Sequence, residues 1–168
     1  KKFSGITGMN FSFPSSVTLV DGDSNGFVDK VYVGDLGGQM WRFGKFTDKD
    51  DNALIFPATD ENIMNWTNQA AHILFLSDPA HGRKFFYPPS VTLEWGYDLI
   101  FMGTGDREDP CNISSSDRIY SIKDAHAATT LKESDLLDVT ESTSTLPDLN
   151  IHQGWYIRLA AGEKVLSE

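Results

Sequence analysis

Three aspartates and an asparagine crowd into nine residues, Asp21-Gly22-Asp23-Ser24-Asn25-Gly26-Phe27-Val28-Asp29. Carboxylate or amide oxygens fall at loop positions one, three, five and nine, with glycine at six. That is the ligand spacing of a calcium loop. Ca²⁺ is a hard cation that takes about six to eight oxygens, and a short segment supplies them only by wrapping round the ion. The expected ligands are the side chains of Asp21, Asp23, Asn25 and Asp29 and the backbone carbonyl of Phe27, with Gly26 making the sharp turn. A polar turn rich in Asp, Asn and Gly is the plainer alternative. Its weakness is that three close carboxylates repel one another unless a cation lies between them.

The elements that must hold this loop are strands. Position twelve is Tyr32, where a helical EF-hand carries a bidentate glutamate. Ser16-Val17-Thr18-Leu19-Val20 precedes the loop and Lys30-Val31-Tyr32-Val33-Gly34 follows it. Both are rich in β-branched or aromatic residues and read as strands. A second run, Asp48, Asp50 and Asn52, repeats the one-three-five spacing. Ala53 stands where the glycine belongs and Phe56 where the ninth ligand belongs, so it reads as a solvated loop.

Catalytic chemistry finds no constellation. His72, His81, His126 and His152 are scattered, without metal-ligand spacing, and read as surface or capping residues. There is no GxSxG elbow. Gly103-Thr104-Gly105-Asp106 lacks the lysine and helix of a phosphate loop and reads as a strand-ending turn. Asp106, Glu108 and Asp109 read as a solvated loop. The chain is therefore expected not to be an enzyme, with no catalytic or organic-cofactor residues to assign.

Composition narrows the class. The 168 residues are 40% hydrophobic and 12% aromatic, with a net charge of −10. Such a chain is globular, and its acidic surface disfavours nucleic acid and anionic membranes. No apolar run approaches the ~18 residues of a membrane helix. The single cysteine, Cys111, forms no disulfide within the chain. It is read either as a buried thiol or as the partner of a cysteine elsewhere in a longer polypeptide. Both ends read as cut from something longer.

A diverged repeat organises the rest. Ser16-Val17-Thr18-Leu19 recurs as Ser90-Val91-Thr92-Leu93. Val31-Tyr32-Val33-Gly34-Asp35 answers to Leu99-Ile100-Phe101-Met102-Gly103-Thr104-Gly105-Asp106. Gln39-Met40-Trp41-Arg42-Phe43 answers to Arg118-Ile119-Tyr120-Ser121-Ile122. The acidic loop shrinks in the second copy to Glu94-Trp95-Gly96-Tyr97-Asp98. Repeated strand pairs of this kind predict successive blades of a β-propeller. The fold class is thus all-β, one partial propeller domain over 1–168, with an incomplete set of blades, long loops and a short helix. Val31-Tyr32-Val33 is expected to be an inner strand buried on both faces. Asp35-Leu36-Gly37-Gly38 is expected to be a tight turn, and Trp41 and Phe43 are expected to share one face, wedged against a neighbouring blade.

Further expectations are coarser. Leu54 to Ala58 reads as a strand. Arg83 to Pro89 reads as an edge strand ended by its prolines. Ala125 to Leu131 reads as a short helix. Asp135 to Thr140 reads as a strand opening the next blade. Gly154 to Leu159 and Lys164 to Leu166 read as a strand pair of a further blade. Trp66 and Trp95 are read as exposed aromatics.

The acidic loop running directly into Tyr32-Val33-Gly34-Asp35-Leu36-Gly37-Gly38-Gln39-Met40-Trp41-Arg42-Phe43 resembles the C-terminal β-propeller of PilY-type proteins, tip-associated adhesins and biogenesis factors of type IV pili. Ile100 to Gly105 with Tyr120-Ser121-Ile122 is a second, less specific match. The resemblance implies a propeller similar to those of quinoprotein dehydrogenases. It also implies a Ca²⁺ held by Asp21, Asp23, Asn25, Phe27 and Asp29, and a place at the cell surface, pilus tip, outer membrane or periplasm. It implies partners among pilins, minor pilins or other pilus subunits, and a role in pilus assembly, twitching motility and adhesion. The competing readings are a fragment of a pyrroloquinoline-quinone, calcium-dependent dehydrogenase and a glycan-binding propeller.

Overall fold

The computed structural model describes residues 4–44, 46–47, 54–56, 66, 71–78, 80, 83–141 and 147–167. Twelve strands are described: β1 (Thr18–Val20), β2 (Lys30–Gly34), β3 (Gln39–Gly44), β4 (Phe46–Thr47), β5 (Leu54–Phe56), β6 (Ala71–Leu76), β7 (Ser90–Glu94), β8 (Tyr97–Gly103), β9 (Arg118–Asp124), β10 (Leu131–Lys132), β11 (Leu137–Asp138) and β12 (Gly154–Arg158). The second Asp-x-Asp-x-Asn run, residues 48–52, lies outside the described residues.

Ten of these strands form two five-stranded sheets of the same design. The first runs β1-β2-β3-β6-β10 and the second β7-β8-β9-β12-β11. In each, three antiparallel pairings are followed by one parallel pairing at the last strand. The repeat read from the sequence is therefore a repeat of whole sheets. Its register is fixed by matching hydrogen bonds. Asp35 N donates to Gln39 O at 2.9 Å, and Thr104 N donates to Arg118 O at 2.9 Å. Gly34 thus answers to Gly103, Tyr32 to Phe101 and Arg42 to Ser121. The Ser-Val-Thr-Leu repeat is out of step with this register, because Thr18 pairs with Tyr32 whereas Ser90 pairs with Phe101.

The sheets pack on a shared core of Val20, Tyr32, Met40, Leu74, Phe75 and Leu131 from the first and Ile100, Met102, Tyr120, Ile122 and Leu136 from the second. β2 is buried at all five positions, its Val31-Tyr32-Val33 run as an apolar strand requires and Lys30 through its partner Asp98. Trp41 and Phe43 do share a face, with rings stacked 6.2 Å apart. That face is not the one turned to the second sheet. It forms a separate cluster with Val31, Val33 and Trp66, covered by Ile6, Met9 and Phe13 of the irregular N-terminal segment. Strand alternation puts Tyr32, Met40 and Arg42 on the opposite face, the one turned to the second sheet.

Other expectations change with the structure. Residues 125–130 are irregular, not helical; a 3₁₀ turn follows them at Glu133–Asp135. Arg83 to Pro89 is irregular too, because Arg83 and Phe85 spend their bonds on side-chain and turn contacts. β11 pairs with β12 and completes the second sheet instead of opening another. β12 is that sheet's fourth strand, and residues 164–166 form no strand. Trp66 is buried, unlike Trp95, which is 99% exposed. Cys111 is exposed, contrary to the buried-thiol alternative. Among the described residues, no helix is long and apolar enough to cross a membrane.

Candidate metal loop and its support

The loop between β1 and β2 brings its three aspartates together. One carboxylate oxygen from each of Asp21, Asp23 and Asp29 lies within 4.8 Å of the others. Oxygens each 2.3–2.6 Å from one ion can stand at most about 4.6–5.2 Å apart, so the cluster has the width of a single calcium shell. The donors are all hard oxygens, the chemistry that Ca²⁺ selects.

Backbone amides hold the carboxylates in place. Gly22 N donates to Asp29 Oδ2 at 2.8 Å, Gly26 N to Asp21 Oδ2 at 2.8 Å, and Asn25 N to Asp21 Oδ1 and Asp23 Oδ1, both at 3.2 Å. The chain wraps in this way because Gly26 takes φ +91°, a conformation that glycine adopts without strain. Asn25 sits inside the same wrap. Its Nδ2 donates to Asp23 Oδ2 at 3.0 Å and its Oδ1 accepts from Phe27 N at 2.8 Å. The Phe27 ring is exposed. Asp29 is the buried end of the loop, and its N–H closes onto Val20 O at 2.8 Å where the strands begin to pair.

The residue after Asp29 connects the loop to the second sheet. Lys30 Nζ is paired with Asp98 and lies 3.1 Å from His126 Nε2. Tyr32 OH stands 2.7 Å from both Asp98 Oδ2 and Asp124 Oδ2. Arg42 is paired with Asp124, and its NH2 donates to Ala127 O at 2.9 Å. These side chains, all buried except His126, form a polar seam between β2–β3 and β8–β9. Sequence reading missed the seam because its members lie 66 to 96 residues apart. The one available signal was the inward position of Lys30 and Arg42 in strands otherwise apolar.

Charge sets the seam's response to acid. Burial pushes the Asp98 carboxyl up, but hydrogen bonds from His126, Lys30 and Tyr32 and the Lys30 charge outweigh it and hold the group at about 2. The folded value is thus below the unfolded one of roughly 3.9, so this stabilisation is present above pH ~4 and is lost as pH falls toward 2. We expect urea midpoints of the parent to fall between pH 5 and pH 2 by an amount that includes on the order of 2 kcal/mol from this group. Asp98→Asn should be less stable at pH 7 but flatter across that range, and an unchanged slope would contradict the assignment.

The remaining sequence candidates are structural. Asp106 Oδ1 accepts from Glu108 N and Asp109 N, and Glu108 and Asp109 are exposed, as a solvated loop requires. Asp35 Oδ1 accepts from Gly37 N and Gln39 N while Oδ2 accepts from Trp41 Nε1, so the carboxylate organises the turn between β2 and β3. His81 lies outside the described residues.

Comparison with known proteins follows the same outline. Residues 2–79, which span the acidic loop and strands β1 to β6, match the PilY1 beta-propeller domain family. The crystal structure of the Pseudomonas aeruginosa PilY1 C-terminal domain is similar, with a TM-score of 0.58 and 20% identity over 96% of this chain and 42% of that one. At that identity the likeness speaks for the fold, and this chain spans under half the length of the solved domain. No curated protein matches the chain in sequence. The resemblance to PilY-type proteins is upheld by both the family match and the shared fold.

Proposed function

We propose that this PilY-type chain is a calcium-responsive β-propeller module of a type IV pilus protein, at the cell surface or in the periplasm, acting on pilus assembly, motility and adhesion through its contacts and not as an enzyme. Its two sheets are read as two blades of an incomplete set, within one domain. The observation that carries the reading is the convergence of Asp21, Asp23 and Asp29 in a loop already laced by its own amides. With Asn25 and the Phe27 carbonyl, these residues would hold one Ca²⁺. The ion's contribution is to neutralise carboxylates that otherwise repel. Asp29 then passes its position to Lys30, and Lys30 to the seam with the second sheet. Pilins, minor pilins or other pilus subunits are the partners that this reading names, along with the rest of a longer polypeptide.

A thermal melt with calcium or with EGTA tests the reading. At a hundredfold excess over Kd, binding to the folded state alone adds about 2.7 kcal/mol, a rise in Tm of roughly 5–10 °C for a domain of this size. Asp29→Ala should abolish the rise and the heat of calcium binding in titration calorimetry. Equal melts with and without the ion in the parent would overturn the proposal.

A further inference from the structure

A cavity of about 420 Å³ opens beside the polar seam, away from the metal loop. Its apolar walls are Leu74 of β6, Leu131 of β10, Ala125 and Ala127. Its volume falls within the span of ligand clefts, about 300–1,000 Å³. The charged and polar residues that line it are Lys123, Asp124, Thr129, Asp135 and Gln153.

Charge decides what the cavity can take. The Asp124 carboxylate is already matched by Arg42, whose NH2 is held on Ala127 O at 2.9 Å. The Lys123 ammonium is engaged elsewhere. Its Nζ donates to Leu149 O at 2.7 Å and stands 4.9 Å from the centroid of the Tyr97 ring. Alternation along β9 puts that side chain on the face opposite Ile122 and Asp124.

Asp135 is different. It is exposed, and its Oδ2 accepts the backbone N–H of Lys132 at 2.8 Å. Among the described residues, no cation pairs with it. Gln153, whose N donates to Asp135 O at 3.0 Å, adds an amide that can accept a further hydrogen bond.

The lining thus offers one carboxylate without a counter-ion beside walls of aliphatic carbon. An acidic guest is repelled there, and a wholly apolar guest strips water from the carboxylate without replacing it. A side chain with an aliphatic stem and a cationic tip suits both parts of the lining. The net charge of −10 draws such a group toward the protein.

We propose that this cavity is a binding site for a basic side chain, lysine or arginine, presented by another protein chain. The stem lies against Leu74 and Leu131, the cationic head meets Asp135, and Gln153 and Thr129 supply further acceptors. Ala127 and Asp124 belong to the seam as well, so the bound chain sits at the join between the two sheets. The site uses none of the proposed calcium ligands and stands whether or not the loop holds an ion.

Saturation-transfer NMR on the full polypeptide tests the assignment, with N-acetyl-arginine amide as the probe. Asp135→Asn removes the charge and keeps an oxygen for the Lys132 N–H. Ala127→Phe fills the cavity from its exposed wall, and Asp109→Asn removes an exposed carboxylate outside it. A thermal melt checks that each variant folds. The Kd is expected to rise on the order of tenfold in Asp135→Asn, the scale of one charge-assisted hydrogen bond, and to stay unchanged in Asp109→Asn. Ala127→Phe should abolish binding. N-acetyl-norleucine amide, an uncharged stem, should bind on the order of tenfold more weakly than the arginine probe. Equal affinity for the two probes, or tighter binding of N-acetyl-glutamate amide, would overturn the cation assignment. No binding by the parent, or binding that survives Ala127→Phe, would remove the site. Agmatine carries the guanidinium without a peptide bond. If it binds far more tightly than the arginine probe, the site belongs to a free amine and the proposal falls.

Discussion

Replacing Asp124 with alanine is expected to destabilise the protein by about 3–5 kcal/mol, the range for removing one partner of a buried ion pair. Asp124 is 1% exposed and holds three groups at once. Arg42 is paired to Oδ1, which also accepts His126 N at 2.9 Å, and Oδ2 lies 2.7 Å from Tyr32 OH. Without the carboxylate, the Arg42 guanidinium stays fully buried between two sheets, with its NH2 on the Ala127 carbonyl and the Asp124 charge gone. Desolvation of that cation is the dominant cost, because the lost hydrogen bonds are each worth only ~1 kcal/mol net. Urea unfolding at pH 7 measures the loss. The double variant Asp124→Ala, Arg42→Met should recover part of it, since an apolar replacement of both partners removes the stranded charge. A single-variant loss below about 1 kcal/mol, the size of an exposed pair, would show that the seam is wet and not buried.

What could be read from the sequence was whatever is local. The acidic loop, β2, β3, β8 and β9 are visible because their signals, ligand spacing and strand composition, lie within a few residues. The Asp35 turn is visible for the same reason. β6 escaped notice, although it sits beside β3 at the centre of the first sheet. Its sequence, Ala-His-Ile-Leu-Phe-Leu, lacks alternation, and a short continuous apolar run is not told from a buried helix segment by periodicity alone. β10 escaped as well, and Asp135 to Thr140 reads as a strand without revealing that β11 pairs with β12; both are two residues long and held by parallel pairing to strands distant in sequence, which composition does not encode.

The face of Trp41 was misjudged for a related reason. Alternation shows that Trp41 and Phe43 lie together and apart from Tyr32 and Arg42. It cannot say which face meets the other sheet and which is covered by residues 6–13. The polar seam resolves that choice in the structure. Lys30, Tyr32 and Arg42 must point to wherever their counter-charges lie, and Asp98 and Asp124 are register partners on β8 and β9. Buried charges orient the sheets because unpaired they would be costly, whereas apolar faces accept many neighbours.

Gly44→Ala is expected to damage fold and loop together. Gly44 closes β3 opposite Lys30 at φ +121°, a conformation that side chains rarely take. A Cβ there would overlap the Asp29 carbonyl oxygen and crowd the buried Trp66 ring. Neither neighbour can easily give way. Asp29 is tied by its N–H to Val20 O and by Oδ2 to Gly22 N, and Trp66 is packed in the second core cluster. Backbone strain and overpacking each cost about 1–3 kcal/mol, so the loss should be roughly 2–6 kcal/mol. Because the shift falls on Asp29, the calcium-dependent rise in Tm should shrink as well. Gly96→Ala is the control. Gly96 also has positive φ, +81°, but an added Cβ there meets nothing, and it lies outside the metal loop. That variant should lose only the strain part and keep its full calcium response. Equal losses and equal calcium responses in the two variants would show that the close approach of Gly44 to Asp29 does not govern the loop.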